Sequence, residues 1–524
     1  MFASVCGMSV EGLSAHLVRV EVDICSGLPA FDIVGLPAVA VKEAKDRVRS
    51  ALKNSGFQFP LQRITVNLAP ADLRKEGSSL DLPIAVGILA AMGEIDPAFA
   101  ASYVFAGELS LEGILRPIPG ILTMAVSLRQ LKTELSEQVN TRQDLFINEN
   151  IVFVIPPGNL AEARLVPELH SESTVTLIEL VKILRGEQQF NVVPVSDLSS
   201  EYDKPIVDWA DIRGQTQAKR ALEIAATGGH NLLMVGPPGS GKTLLARAFA
   251  GILPPLTTEE SLEVTQLYSS AGLLQTQGRL VTQRPFRSPH HTATVTSMIG
   301  GGQKLRPGEL VLANHGVLFL DELPEFSREV LEALRQPLED RKITITRLRG
   351  SMEYPTRVSV IAAMNPCHCG YFGDLGRVCT CTPLQINNYR SKISGPLLDR
   401  FDLQIEVPRL SYAELKEERK VENSEQVRER VVANRQKQWR RFKSSKTNAE
   451  MTGRETKEVC ILDSAGESLL KQVFDKNLYS ARAYDRILRV ARTIADMAGS
   501  EVIKVEHLAE SLQYRALDRQ ANFG

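Results

Sequence analysis

The chain has 524 residues, a formal net charge of -1, 43% hydrophobic residues and 23% charged residues. That length exceeds what one core supports, so several domains are expected. The balanced charge excludes a protein that holds nucleic acid by being basic throughout; any such contact must come from local patches.

The start, MFASVCGMSVEGL, lacks a basic segment followed by a long apolar core, which argues against a secretory signal. No run reaches the roughly 18 apolar residues a membrane span needs. The nearest, LDLPIAVGILAAMG, is short and carries Asp81. A cytoplasmic protein with no membrane partner is expected. Thiols stay reduced there, so clustered cysteines favour a metal over disulfides.

Residues 1–188 alternate short β-rich runs (HLVRVEVDI, RITVNLA, YVFAGEL, IVFVIP) with helical stretches, an α/β or α+β pattern. In AVKEAKDRVRSALKNSG, Lys42, Lys45 and Arg49 can share a helix face, but interleaved acids make a solvated surface the plainer reading. Residues 189–210 are polar, hold two prolines and read as a linker. Residues 211–410 look like an α/β nucleotide-binding domain, and 411–524 are helical.

The second region carries the chemistry. In NLLMVGPPGSGKTLLARAFAG an apolar strand, Leu232 to Val235, runs into Gly236, Pro237, Pro238, Gly239, Ser240, Gly241, Lys242 and Thr243, and a helical pattern follows. Such a loop curls backbone N–H groups around phosphate at a helix N-terminus. Lys242 would reach the β- and γ-phosphates of ATP, and the Thr243 hydroxyl would ligate Mg2+. A second apolar strand, Val317 to Leu320, ends in Asp321 and Glu322. Asp321 would hold Mg2+, and Glu322 would orient or deprotonate the attacking water. A third strand, RVSVIAAMN, ends at Asn365, whose amide could position that water. In GPLLDRFDLQIEV, Arg400 is either an arginine finger for a neighbouring subunit or a local ion-pair partner of Asp399 or Asp402.

Four of the chain's seven cysteines lie in NPCHCGYFGDLGRVCTC. Were Cys367 and Cys369, and Cys379 and Cys381, the two ends of a hairpin, each pair would face one way. Four thiolates would then close around a structural Zn2+ with no open position for catalysis. The zinc knuckle would span 367–381, between Asn365 and Arg400. Basic residues gather in two further places. QRPFRSPHHTATVTSMIGGGQKLRPGEL holds Arg284, Arg287, His290, His291 and Lys304; RKITITRLRGSMEYP reads as a hairpin with Arg347 and Arg349 at its tip. Both suit sequence-blind contact with DNA phosphates. Ordinary basic surface or contacts between subunits are the alternatives, and the paired histidines alone make a weak metal site.

With Lys242, Asp321, Glu322, Asn365 and Arg400 in this order, the chain resembles the AAA+ ATPases. LLDRFD and SARAYDRILRVARTIADMAG resemble the magnesium-chelatase and minichromosome-maintenance members. GLPAVAVKEAKDRVRSAL, RPFRSPHHTAT and YSARAYDRILRVARTIADMA look like the ComM/YifB family along nearly the whole chain. The resemblance implies a hexameric ring that hydrolyses ATP between subunits, translocates on single-stranded and branched DNA, and drives branch migration during natural transformation. It puts a second sensor arginine at Arg482, with Arg486 as the fallback. The competing function is a chelatase-type motor that acts on a protein partner for metal insertion. The first region resembles the proteolytic domain of Lon, whose serine falls on Ser79 and whose lysine falls on Leu122. Leucine cannot take a proton, so a shell without proteolysis is expected. The expected architecture is a multidomain α/β protein: a Lon-like N-terminal domain, an AAA+ P-loop domain and a helical lid.

Overall fold

The computed structural model describes residues 1–73, 75, 77–137, 151–191, 207–274, 278–302, 306–347, 350–374, 376–411, 414, 422–476 and 480–515. They fall into two compact units, residues 1–201 with 261–281, and residues 202–260 with 282–524. The crossing at 261–281 departs from the sequence boundaries, which placed that segment inside the nucleotide-binding region. Its physical reason is an apolar face on the helix Thr258–Ala271: Leu262 is buried with Met124, Leu128 and Phe153. Gln266 also donates to the Leu13 carbonyl at 2.7 Å. Of the expected linker, 192–206 lie outside the described residues, while Trp209 is buried in the core of the second unit.

The first unit is built on a seven-stranded mixed sheet in the order Ala30–Val34, Arg63–Ala69, Ser14–Cys25, Phe2–Glu11, Tyr103–Phe105, Val152–Ile155 and His170–Ser173. LDLPIAVGILAAMG is the helix Asp81–Ala91, in which every residue is buried. Its uniform apolarity is that of a core helix, not a membrane span. Among the described residues no helix is long and apolar enough to cross a membrane. At its first turn the Asp81 carboxylate, fully buried, takes two hydrogen bonds from the Arg47 guanidinium, at 2.7 and 2.9 Å. Burial pushes the Asp81 pKa up against that pairing.

The second unit holds a five-stranded, all-parallel sheet in the order Phe286–Arg287, Val317–Leu320, Ser359–Met364, Leu232–Val235 and Leu403–Glu406. Val317–Leu320 and Leu232–Val235 are buried at every position, as expected where both faces are covered. The C-terminal helices Ser424–Phe442, Ser464–Lys476, Ala481–Met497 and Val505–Gln513 belong to the same unit. Val490, Ile494 and Tyr514 join the sheet's own apolar core, so lid and sheet share one interior. The mixed α/β multidomain class with a helical C-terminus is the one expected.

Removing Arg47 should strand a buried carboxylate. Arg47→Met is expected to destabilise the first unit by about 3–5 kcal/mol, read by chemical denaturation, with Asp81→Asn in the same background restoring part of it.

Candidate nucleotide and metal sites

The phosphate loop is held tight by its neighbours. A Cβ on Gly236 would lie 2.2 Å from the Val407 carbonyl oxygen, so only glycine fits at the end of this strand. Gly241 has φ +88° and precedes the helix Lys242–Ile252, whose N-terminus faces the cleft. Lys242 Nζ donates to the carbonyls of Gly236 at 2.7 Å and Pro237 at 2.9 Å, and reaches Asn365 Oδ1 at 3.4 Å. Burial lowers its pKa, and Asp321 and Glu322 oppose that shift. Thr243 Oγ1 donates to Asp321 Oδ2 at 3.0 Å, which places hydroxyl and carboxylate together as Mg2+ ligation requires. Glu322 turns the chain in a left-handed conformation, φ 52° and ψ 47°, and its N–H donates to Asp321 Oδ1 at 3.0 Å. That is a sparsely populated backbone for glutamate, of the kind held in place at functional sites. Lys242, Thr243, Asp321, Glu322 and Asn365 line one cleft of about 400 Å3, together with the loop residues Pro238, Gly239, Ser240 and Gly241.

Arg400 and Arg482 line a different cavity, of about 350 Å3. Arg400 pairs with Glu339, not with Asp399 or Asp402. Arg482 lies 3.8 Å from the other Glu339 oxygen. Arg486, the fallback, lies 3.7 Å from Asp402. Neither the finger nor the second sensor candidate lines the cleft that holds Lys242 of the same chain.

The residues assigned to DNA separate. Arg284 is spent internally: it donates to the His315 carbonyl at 2.6 Å and pairs with Glu260 at 3.0 Å, with only 9% of its side chain exposed. Arg287 forms a bidentate pair with Glu309 at 2.6 and 2.8 Å. The pairing acids lie 24 residues before one arginine and 22 after the other, at distances in sequence that give no sign of the contact. His291 sits 3.4 Å from the Glu322 carboxylate, at the nucleotide cleft. Its signal was topological: Phe286–Arg287 pairs in parallel with Val317–Leu318, so the loop after one strand runs beside the loop after the other. His290 is exposed and contacts Thr292 at 2.9 Å. The RKITIT segment does form the expected hairpin, Lys342–Arg347 against Gly350–Pro355. Arg347 ends its first strand; Lys304 and Arg349 lie outside the described residues.

In the first unit the Ser79 hydroxyl, buried, donates to the Met8 carbonyl at 3.0 Å. Leu122 is fully buried, and Lys132 reaches the Glu168 carbonyl at 3.3 Å. Among the described residues no base is hydrogen-bonded to Ser79.

The four cysteine sulfurs lie within 4.8 Å of one another. Cys367 is 3.3 Å from Cys369 and 3.6 Å from Cys379, and Cys369 is 3.5 Å from Cys379. Four thiolates about 2.3 Å from one Zn2+ stand roughly 3.8 Å apart, so the cluster fits the ion. A bend and a turn present Cys367 and Cys369, and irregular backbone presents Cys379 and Cys381, in place of the expected hairpin strands. The Tyr371 amide lowers the Cys369 thiol most, and with the Thr380 amide and the other sulfurs brings it to about 5 against burial. The Cys381 amide favours a thiolate at Cys379, yet burial and the neighbouring sulfurs push that thiol up to about 12. Charges this close oppose one another until a cation sits between them.

The knuckle also braces the phosphate loop. Gly370 has φ +86°, and a Cβ there would lie 2.7 Å from Pro238 Cδ. Arg409 pairs with Asp374 at 3.3 Å and lies over the Tyr371 ring, which fastens the knuckle to the segment after the last strand of the sheet.

A family model described as magnesium chelatase, subunit ChlI, matches residues 208–415. The model for the C-terminal part of that subunit matches 421–515, and a further ChlI model matches 20–136. The chain is 43% identical over 514 residues to the competence protein ComM of Haemophilus influenzae, covering 97% of this chain and 96% of that one. It is 43% identical over 510 residues to the uncharacterized protein YifB of Salmonella typhimurium, again covering 97% and 96%. The YifB of Escherichia coli is 42% identical over 516 residues, with the same coverage. Fold and site thus define an AAA+ ATPase of the magnesium-chelatase type. The chain belongs to the ComM/YifB family within it.

Gly370→Ala should press on Pro238 and strain a left-handed position by about 1–2 kcal/mol. The expected result is ATP binding weakened several-fold with the metal content of the knuckle unchanged, measured by nucleotide titration beside elemental analysis.

Proposed function

We propose that this chain is an ATP-driven motor that assembles as a hexameric ring and translocates on single-stranded and branched DNA, promoting branch migration in natural transformation. One observation carries the motor reading: Lys242, Thr243, Asp321, Glu322 and Asn365 share one cleft, while Arg400 lines another. A site so divided is completed by a second copy of the chain. In it, Lys242 holds the β- and γ-phosphates, Thr243 and Asp321 hold Mg2+, and Glu322 takes the proton from a water that Asn365 orients. Arg400 of the adjoining copy neutralises charge that develops on the γ-phosphate.

The DNA part rests on near-full-length similarity to a protein named for competence. With Arg284 and Arg287 paired internally, the remaining candidates for phosphate contact are His290, Lys304, Arg347 and Arg349. The second reading, a chelatase-type motor working on a protein partner, is favoured by the family models that match most of the chain. ATP turnover with and without forked or four-way DNA separates the two. Stimulation that weakens steeply with salt is expected for the DNA motor, with the log–log slope reduced by roughly 0.7–0.9 for each phosphate contact removed at Arg347 or Lys304. Turnover indifferent to every DNA form would sink that reading.

Glu322→Gln should bind ATP and not cleave it. Arg400→Ala should lower turnover by on the order of 10³ and recover in rings mixed with the Glu322→Gln chain, because each variant lacks only one half of a site.

Cys367, Cys369, Cys379 and Cys381 would hold one Zn2+ per chain as a structural clamp, since four thiolates leave no place for water. Elemental analysis of protein prepared without chelators should find that ratio. Cys367→Ser should lose the metal, keep the sheet and impair hydrolysis more than nucleotide binding. Full activity without metal would remove zinc from the account.

A further inference from the structure

The cavity that holds Arg400 is lined mainly by opposed charges. Five arginines line it, Arg341, Arg400, Arg482, Arg486 and Arg489, against the four acids Glu339, Asp402, Glu450 and Asp485. Two of the acids have fixed partners: Glu450 pairs with Arg341 at 2.5 Å, and Asp402 with Arg486 at 3.7 Å and with His230 at 3.2 Å. Glu339 differs. It stands in the last turn of the helix Arg328–Asp340, its side chain is 49% exposed, and among the described residues it alone meets both Arg400 and Arg482.

The two guanidiniums are held unequally. Only 8% of the Arg400 side chain is exposed, against 62% for Arg482. Among the described residues, buried Arg400 Nε and Arg486 Nη1 have no hydrogen-bond partner. A guanidinium offers its donors as a flat fork that suits two oxygens at once. One carboxylate therefore leaves the site short of acceptor oxygens, whereas a phosphoryl group brings three.

We propose that Glu339 occupies the place of a neighbouring copy's γ-phosphate, converging Arg400 and Arg482 on one anion position until a bound triphosphate displaces it. This rests on the reading of Arg400 as a finger. Glu339 is a positioning residue, not a catalytic one: it touches the arginines and never the reacting atoms. A single carboxylate competes for the arginines, but a γ-phosphate carries more charge and more acceptors. The half-exposed Glu339 can swing into water while buried Arg400 stays, so the exchange needs no movement of the sheet. The contact makes the finger conditional, so that Arg400 commits to a neighbour only when the terminal phosphate is present.

The test uses the full chain and measures ATP turnover across ATP concentration for wild type, Glu339→Gln, Arg400→Ala and the double variant. Glu339→Gln keeps the shape and removes the charge. It is expected to lower KM for ATP by roughly three- to ten-fold, the reach of a half-exposed, charge-assisted pair, with kcat little changed. Read by nucleotide titration, because Arg400→Ala turns over too slowly for a KM, the gain should be absent in the double variant. Glu339→Asp, a second variant that retains the charge, should stay near wild type. An unchanged or raised KM in Glu339→Gln, with Arg400→Ala inactive, would overturn the displacement idea while sparing the finger. Turnover retained by Arg400→Ala would remove the finger reading itself, and this proposal with it.

Discussion

A parallel sheet covered on both faces can place polar groups only where its strands stop. The layout of the second unit follows from that constraint. Val235 pairs with Met364, and Leu320 pairs with Ala362, so three neighbouring strands end within two residues of one another. Continuing the register sets Gly236 beside Asn365, and the Gly236 N–H already donates to the Met364 carbonyl at 3.2 Å. Asp321 comes one residue after Leu320. The glycine loop, Asp321 and Asn365 thus meet because each follows directly on the end of a buried strand. Three segments far apart in sequence need no further device to converge.

The same reasoning explains what could be read in the sequence. Lys242 and Thr243 were expected from the spacing of the glycine loop between a strand and a helix, and Asp321 and Asn365 from apolar runs followed at once by a polar residue; both are local patterns. The charges of Arg284 and Arg287 are cancelled by Glu260, which lies outside the basic segment, and by Glu309 at its far end, pairings that sequence spacing does not reveal. His291 looked like part of a basic loop, and strand order alone brings it to Glu322. Glu339 carried no signal at all: it is one acid on an amphipathic helix. The segment 261–281 was hidden for another reason, since leaving a domain and returning to it changes no composition.

The position of the four cysteines now has a physical account. A chain that stops at Asn365 and must return to a helix at Pro383 has few apolar residues with which to fold the gap. In place of a core it has the four-sulfur cluster and cation–aromatic contacts, Arg377 and Arg409 on Tyr371 and Arg390 on Phe372. The compactness matters because Gly370 lies against Pro238, so the stiffness of the knuckle is also the stiffness of the phosphate loop.

One buried network shows why the arginine cavity cannot be independent of the sheet. Although burial opposes its charge, His230 and Arg486 hold the Asp402 carboxyl below its ordinary range. His230, fully buried, lies between Asp402 at 3.2 Å and the Thr493 hydroxyl at 2.9 Å. It stands two residues before the strand that feeds the phosphate loop; Asp402 stands two residues after Arg400; Thr493 is on the lid helix Ala481–Met497. An interior of this density passes displacement on instead of absorbing it. Any shift of the C-terminal helix must therefore be felt at the base of the strand Leu232–Val235 and at the segment that carries Arg400. The cleft and the arginine cavity thus belong to one mechanical body.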